Sequence, residues 1–243
     1  MFPRPAPSLF NFPGISSRAY YDTENDKIIF NKYADVLKKN YEIILEEYKT
    51  ILLRSNSDGD SDYKLKSDEH KLNNGEWVWN SYILKGKEQP KFSENYPETA
   101  KILKSFLSEK PKLMSETPFS YAFFSTLKKD SRIAPHYGPC NLRVRCHFPL
   151  IIPKGDCGME VGGKQIKWHE GVPLFFDDCY EHHGNIKWQH LYFIDLIVNF
   201  VFFSVSFTFL FELSFSFLFL LLTDFVFNFD SVFYVPAITS EYQ

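Results

Sequence analysis

Cysteine and net basic charge are what this chain has least of, and each shortage excludes a class of protein. The 243 residues include four cysteines, Cys140, Cys146, Cys157 and Cys179, all in the central region. So few cannot staple a fold of this size, and free thiols are expected, with one bridge at most. No C-x-x-C pair exists to complete a structural zinc site built on Cys157, Cys179 and His182. The formal net charge is −3, and the basic residues are scattered rather than gathered in a stripe. That gives no electrostatic case for a nucleic-acid partner. The N-terminus, Met1-Phe2-Pro3-Arg4-Pro5-Ala6-Pro7, is proline-rich without an apolar run, so a cleaved signal peptide is not expected. Lysine and arginine vanish from Leu191 onward, while that tail holds 14 of the 26 phenylalanines.

What precedes that boundary reads as helices first and strands after. Phe30, Tyr33, Leu37, Tyr41, Ile44, Tyr48 and Ile51 recur every three or four residues and predict one amphipathic helix packed on a sheet. A shorter helix is predicted from Pro97, presenting Ala100, Leu103 and Leu107 on one side. Residues 54–74 are polar and rich in Ser, Asp and Lys, which predicts a surface loop. Asp58, Asp60, Asp62 and Glu69 have calcium-loop spacing, but Tyr63 stands where the sharp turn needs glycine. Asn73-Asn74-Gly75 then removes the exiting helix. Residues 121–127, 142–152, 159–161, 164–168 and 172–176 read as short strands separated by turns. The implied class is α+β, with a jelly-roll-like β core behind supporting helices.

The chemistry-bearing residues gather between Ser125 and His183. The segment His136-Tyr137-Gly138-Pro139-Cys140-Asn141-Leu142-Arg143-Val144-Arg145-Cys146-His147 carries two histidines and two arginines. A second cluster follows, Phe175-Phe176-Asp177-Asp178-Cys179-Tyr180-Glu181-His182-His183. Two such segments with strand-like sequence between them suggest a metal held between two strands. Alternation places Leu142, Val144, Cys146 and Phe148 on one strand face and Arg143, Arg145 and His147 on the other. A cationic face needs water or an anion. A carboxylate-bearing small molecule lying beside a metal would account for that face, for His136 at a Pro-His turn into the strand, and for the second cluster. The carboxylate of a two-His-one-carboxylate iron site is missing, because position 138 is glycine. Asp177 and Asp178 fit better as the turn ending the 172–176 strand.

These motifs resemble the aspartyl/asparaginyl β-hydroxylase domain family, a branch of the Fe(II)/2-oxoglutarate-dependent dioxygenases. Pro135-His136-Tyr137-Gly138-Pro139, with Asn141, Arg143, Arg145 and His147, resembles the family's His-x-Gly-Pro-x-Asn-x-x-Leu-Arg-x-His segment. Phe176-Asp177-Asp178-Cys179-Tyr180-Glu181-His182 resembles its Phe-Asp-Asp-Ser-Phe-Glu-His. Trp168-His169-Glu170-Gly171 is similar to its Trp-Glu-Glu-Gly, and Tyr96-Pro97-Glu98-Thr99-Ala100 to its Pro-Lys-Thr helix start. The resemblance covers roughly residues 5–183. It implies a double-stranded β-helix (jelly-roll, cupin-like) core, with His136 and His182 as iron ligands beside the family's glycine. It also implies 2-oxoglutarate contacts from Ser125, Arg145 and His147. Arg143 shares their face with less support, and His183 is expected to point away and serve structure.

The implied activity is a dioxygenase that uses Fe(II), 2-oxoglutarate and molecular oxygen to hydroxylate an aspartyl or asparaginyl side chain of a protein or peptide, or a related small molecule. One departure supports an alternative, a catalytically impaired relative. The family arginine about ten residues past the distal histidine is Tyr192 here, and no arginine follows His182. Two regions are expected: residues 1–190 as the hydroxylase-like domain, and 191–243 as a Phe/Leu/Ser-rich hydrophobic tail. Residues 198–222 are long and apolar enough to span a bilayer. The alternation of Ser204, Ser206 and Thr208 with Phe207, Phe209 and Phe211 instead favours strands, and a tail not native to the domain is the third reading. Membrane association through the tail, at the endoplasmic reticulum by family resemblance, is one expected location and the cytoplasm the other.

Overall fold

The computed structural model describes residues 4–15, 17–21, 30–54, 61–62, 72–107, 118–128, 131–153, 157–186 and 191–199. Its N-terminal half holds β1 (Tyr20–Tyr21), α1 (Asn31–Lys39), α2 (Tyr41–Arg54), β2 (Leu72–Asn74), β3 (Trp77–Leu84), β4 (Lys87–Glu88), α3 (Pro90–Asn95) and α4 (Pro97–Leu107). Strands then take over: β5 (Tyr121–Leu127), β6 (Arg132–His136), β7 (Arg143–Ile151), β8 (Cys157–Val161), β9 (Lys164–Lys167), β10 (Leu174–Phe176), β11 (His182–Ile186) and β12 (Leu191–Asn199). A seven-stranded sheet has the order β1-β10-β7-β12-β5-β3-β4, and a five-stranded sheet the order β2-β6-β11-β8-β9. The chain is mixed α and β, with helices first.

Alternation along the strands sorts the core into two layers. Val144, Cys146, Phe148 and Leu150 of β7, with Ala122 and Phe124 of β5, pack against Leu37, Ile44, Tyr48 and Leu103 of the helices. Phe30 stacks on Phe175 at 5.0 Å, and the Tyr48 hydroxyl bonds that of Thr126, fixing α2 to the sheet. On the other face, Trp77, Leu127, Leu174 and Phe176 meet Met159, Val161 and Ile166 of the smaller sheet. His136, Arg145, His147 and His182, singled out in the sequence, line a cleft in this second interlayer.

Two expectations change. The single helix predicted from Phe30 to Ile51 is two helices, α1 and α2, broken at Asn40. There the backbone leaves helical geometry (φ −105°, ψ 14°), and the Asn40 side-chain amide donates to Val36 O at 2.8 Å. The side-chain bond offers the chain an alternative to continuing the helix. Of the acids with calcium-loop spacing, Asp62 accepts the Ser81 N–H at 2.7 Å beside β3; Asp58, Asp60 and Glu69 lie outside the described residues.

The second change concerns the boundary at 190/191. Strand β12 begins at Leu191 and is inserted between β7 and β5, pairing with β5 from Leu191 to Ile197 and with β7 from Tyr192 to Asn199, with one register shift between Tyr192 and Phe193 on the β7 side. A segment holding the middle of a sheet is not a tail. The compact unit accordingly runs to Phe203. Of the spanning stretch at 198–222, all but residues 198 and 199 lies outside the described residues. Among the described residues, no helix is long and apolar enough to cross a membrane.

The proline-rich N-terminus is a strap. Ala6 N–H donates to Cys179 O, Ser8 N–H to Gly138 O, and Leu9 N–H to Pro139 O, at 2.8, 2.8 and 3.0 Å. Asn141 closes it by accepting the Phe12 N–H at 2.7 Å and donating to Phe12 O at 2.9 Å. The turns following β6 and β10 are thereby tied to one segment.

Candidate functional site

His136 is the last residue of β6 and His182 the first of β11, and the two are cross-strand partners. His136 therefore ends its own strand instead of sitting in a turn that enters β7. The imidazole centroids are 4.0 Å apart with planes inclined at 51°. Each Nδ1 lies 2.9 Å from the carbonyl oxygen two residues upstream, Ala134 O for His136 and Tyr180 O for His182. A carbonyl only accepts, so each Nδ1 carries the proton and each Nε2 the lone pair. The His182 Nε2 is buried and has no hydrogen-bond partner among the described residues. Burial, followed by the neighbouring His136, pushes the His182 pKa well below its ordinary value, so the ring is neutral.

A cleft between the sheets, about 390 Å³ with its opening to solvent, is lined by these histidines together with Arg145, His147, Trp77 and Trp168. Arg145 and His147 reach it from β7, two residues apart on the face opposite Val144, Cys146 and Phe148, and both are buried. The His147 ring packs edge-on against Phe176 at 4.8 Å. Its pKa is pushed well down by burial and then by Arg145, which keeps it neutral beside the arginine. A neutral imidazole next to a fixed guanidinium can donate to a carboxylate without adding a second buried charge.

Ser125 is fully buried on β5, and its Oγ accepts the Trp77 indole N–H at 2.8 Å. It stands behind Trp77 and is not among the residues lining the cleft. Its hydroxyl proton can still be donated. His183 is also among the residues lining the cleft; it pairs with Glu160 of β8, beside a register shift between His182 and Gly184 in the β6–β11 pairing.

Arg143 shares the face of Arg145 but does something else. Its Nε donates to Asp178 Oδ1 and Oδ2 at 3.2 and 3.1 Å, Nη2 to Oδ2 at 2.5 Å, and Nη1 to Phe119 O at 3.2 Å. Both partners are buried. Burial opposes each charge, yet the pair wins: Asp178 is held below the usual carboxylate range and Arg143 above its own. The turn expected at Asp177-Asp178 is present, with Cys179 N–H donating to Asp177 Oδ1 at 3.0 Å. Cys140, Cys146 and Cys179 are buried and form no disulfide among the described residues, and no group of three His, Cys, Asp or Glu side chains converges among those residues. The aromatic cleft walls Trp77 and Trp168 went unassigned in the sequence, where a lone tryptophan reads as core.

Two facing antiparallel sheets bring a pair of histidines and a buried arginine to one cleft at their interface. The chain belongs to the aspartyl/asparaginyl beta-hydroxylase family, whose profile matches residues 38–190. The mouse aspartate beta-hydroxylase domain-containing protein 2 is 30% identical over 177 residues, covering 72% of this chain and 48% of that protein. Mouse aspartyl/asparaginyl beta-hydroxylase is 25% identical over 178 residues, covering 72% and 22%. The chain thus spans less than half the length of these relatives. Among solved structures, a collagen prolyl hydroxylase of Paramecium bursaria Chlorella virus-1 is similar at TM-score 0.40 and 14% identity, covering 65% of this chain and 91% of that one. A Pseudomonas putida prolyl-4-hydroxylase is similar at TM-score 0.41 and 8% identity, covering 69% and 98%.

Proposed function

We propose that the chain is an Fe(II)/2-oxoglutarate-dependent hydroxylase with a double-stranded β-helix core, acting on an aspartyl or asparaginyl side chain or a related substrate. The observation that carries this reading is the His136–His182 pair. Two imidazoles 4.0 Å apart have both Nδ1 protons tied to carbonyls, and the His182 Nε2 lone pair is buried and unpartnered among the described residues. A buried acceptor without a donor is costly, and burial keeps a proton from satisfying it. A soft-to-borderline divalent cation fits that donor set. His136 and His182 would hold the iron through Nε2. When bound, iron and 2-oxoglutarate supply oxidising power from oxygen to place a hydroxyl on an unactivated C–H bond, with succinate and carbon dioxide released.

The remaining work belongs to the protein's own groups. Arg145 offers a forked donor for a carboxylate of the 2-oxo acid, and His147 adds an uncharged partner. Ser125, its position held by the Trp77 indole, would donate its hydroxyl proton toward the same ligand. Trp77 and Trp168 exclude water from the cleft, which strengthens each of these contacts.

A second reading rests on β12. Position 192, counted from the family pattern, is in register with Thr126, whose hydroxyl meets Tyr48 on the helix side of the sheet. The positions of β12 in register with Ser125 and His147 are Phe193 and Asp195, and the whole strand holds no lysine or arginine. That supports a relative that binds metal without anchoring the distal carboxylate. The full chain, loaded with Fe(II) and titrated with 2-oxoglutarate, separates the two. Saturable binding and release of succinate are expected; metal binding with no 2-oxoglutarate binding at millimolar concentration would leave the second reading.

A further inference from the structure

Gly138, two residues after His136, is hemmed in by a carboxylate. A Cβ built on it would stand 2.5 Å from Asp178 Cγ and 2.7 Å from Oδ2, and nearer still to Oδ1. Backbone hydrogen bonding closes the gap further, with Gly138 N–H donating to Asp178 O at 2.6 Å. Asp178 cannot swing away cheaply. It is 1% exposed, both its oxygens accept from Arg143, and Arg143 is itself braced on the Phe119 carbonyl. The strap adds a second restraint, since Ser8 N–H holds Gly138 O from the other side at 2.8 Å.

We infer that the Arg143–Asp178 ion pair is a positioning device that fills the space a side chain at position 138 would need, and so limits the metal's protein ligands to the two histidines. This rests on the two-histidine reading above for its metal half, whereas its steric half stands without any metal. A carboxylate two residues beyond the first histidine is the usual third ligand of a facial triad. Here that ligand is kept out by an acid already committed elsewhere. Substituting Gly138→Asp therefore does not rebuild a triad; it drives one carboxylate into another.

The test is a cycle on the full chain in two backgrounds, native and Arg143→Met/Asp178→Ala, which removes the pair together. On the metal-free protein, Gly138→Ala is expected to lower the melting midpoint by several degrees in the native background and by much less in the pair-deleted one. With Co(II) as the probe, Gly138→Asp is expected to weaken binding about 10- to 100-fold in the native background, the range seen when supporting shells are disturbed. In the pair-deleted background, the same substitution is expected to bind Co(II) more tightly, with a d–d spectrum changed by the added ligand. A Gly138→Asp protein that folds only when the pair is deleted counts as support. Native-background Gly138→Ala that melts with the wild type, or Gly138→Asp that binds Co(II) at least as well, overturns the inference. Wild-type protein that binds no Co(II) would overturn the two-histidine reading and the metal half with it, while the melting arm still decides the steric half.

Discussion

Arg143 and Arg145 stand two residues apart on one face of β7, and their surroundings give them different tasks. Arg143→Ala leaves Asp178 buried without its partner, which should cost about 3–5 kcal/mol of stability in chemical denaturation. Arg145→Ala should leave the fold largely intact and weaken 2-oxoglutarate binding by roughly 10- to 100-fold, the loss of a charge-assisted pair. Equal effects on folding from both substitutions would contradict this division. Asp177 is the other residue with a legible charge state. Burial, reinforced by the adjacent Asp178 against the Cys179 hydrogen bonds, raises its pKa to about 6. The folded protein therefore holds the Asp177 proton more tightly than the unfolded chain. The resulting stability is full below the unfolded value near 4 and is lost as pH rises through about 6. Asp177→Asn keeps an acceptor for the Cys179 N–H without the titration. Its stability relative to wild type should improve by about 2–3 kcal/mol between pH 4 and 7, measured by urea unfolding at each pH.

Among the elements, α4 depends on a residue of another helix. The Glu47 carboxylate of α2 accepts the N–H groups of Glu98 and Thr99 at 2.9 and 2.7 Å, satisfying two donors that an α-helix start leaves open. Glu47→Ala should destabilise the protein by about 1–2 kcal/mol, and faster amide exchange at 98 and 99 would locate the loss. The two-helix break at Asn40 follows similar logic: a polar side chain competing for a backbone carbonyl decides where the apolar stripe is interrupted. The periodicity from Phe30 to Tyr48 located the stripe correctly and hid the break, because helical spacing on both sides of Asn40 keeps the same face inward.

For the whole molecule, the position of β12 matters most. It joins β7, which carries Arg145 and His147, to β5, which carries Ser125. A chain ending at residue 190 should fail to form the larger sheet, whereas one ending at Phe203 retains the compact unit. Circular dichroism and size-exclusion chromatography of the two truncations check this, and a folded 1–190 fragment would contradict it. Sequence composition drew the boundary where lysine and arginine are absent, because a strand paired on both sides needs neither and reads like the apolar residues that follow it.

Residue order alone fixed the alternation that puts Arg145 and His147 opposite the helix-facing core, the glycine at position 138, and the motif spacing that marks His136 and His182. These are local properties, set by the two-residue period of a strand and by side-chain chemistry. Tertiary structure decided which of the polar groups on that face is left for a ligand. Arg143 is taken by Asp178, Ser125 accepts from Trp77 and keeps only its hydroxyl proton to offer, and Gly138 is confined by a carboxylate 40 positions away in sequence. Such pairings depend on which strands become neighbours, and no short-range pattern records that, because residues far apart in the chain meet only when the two sheets close on each other.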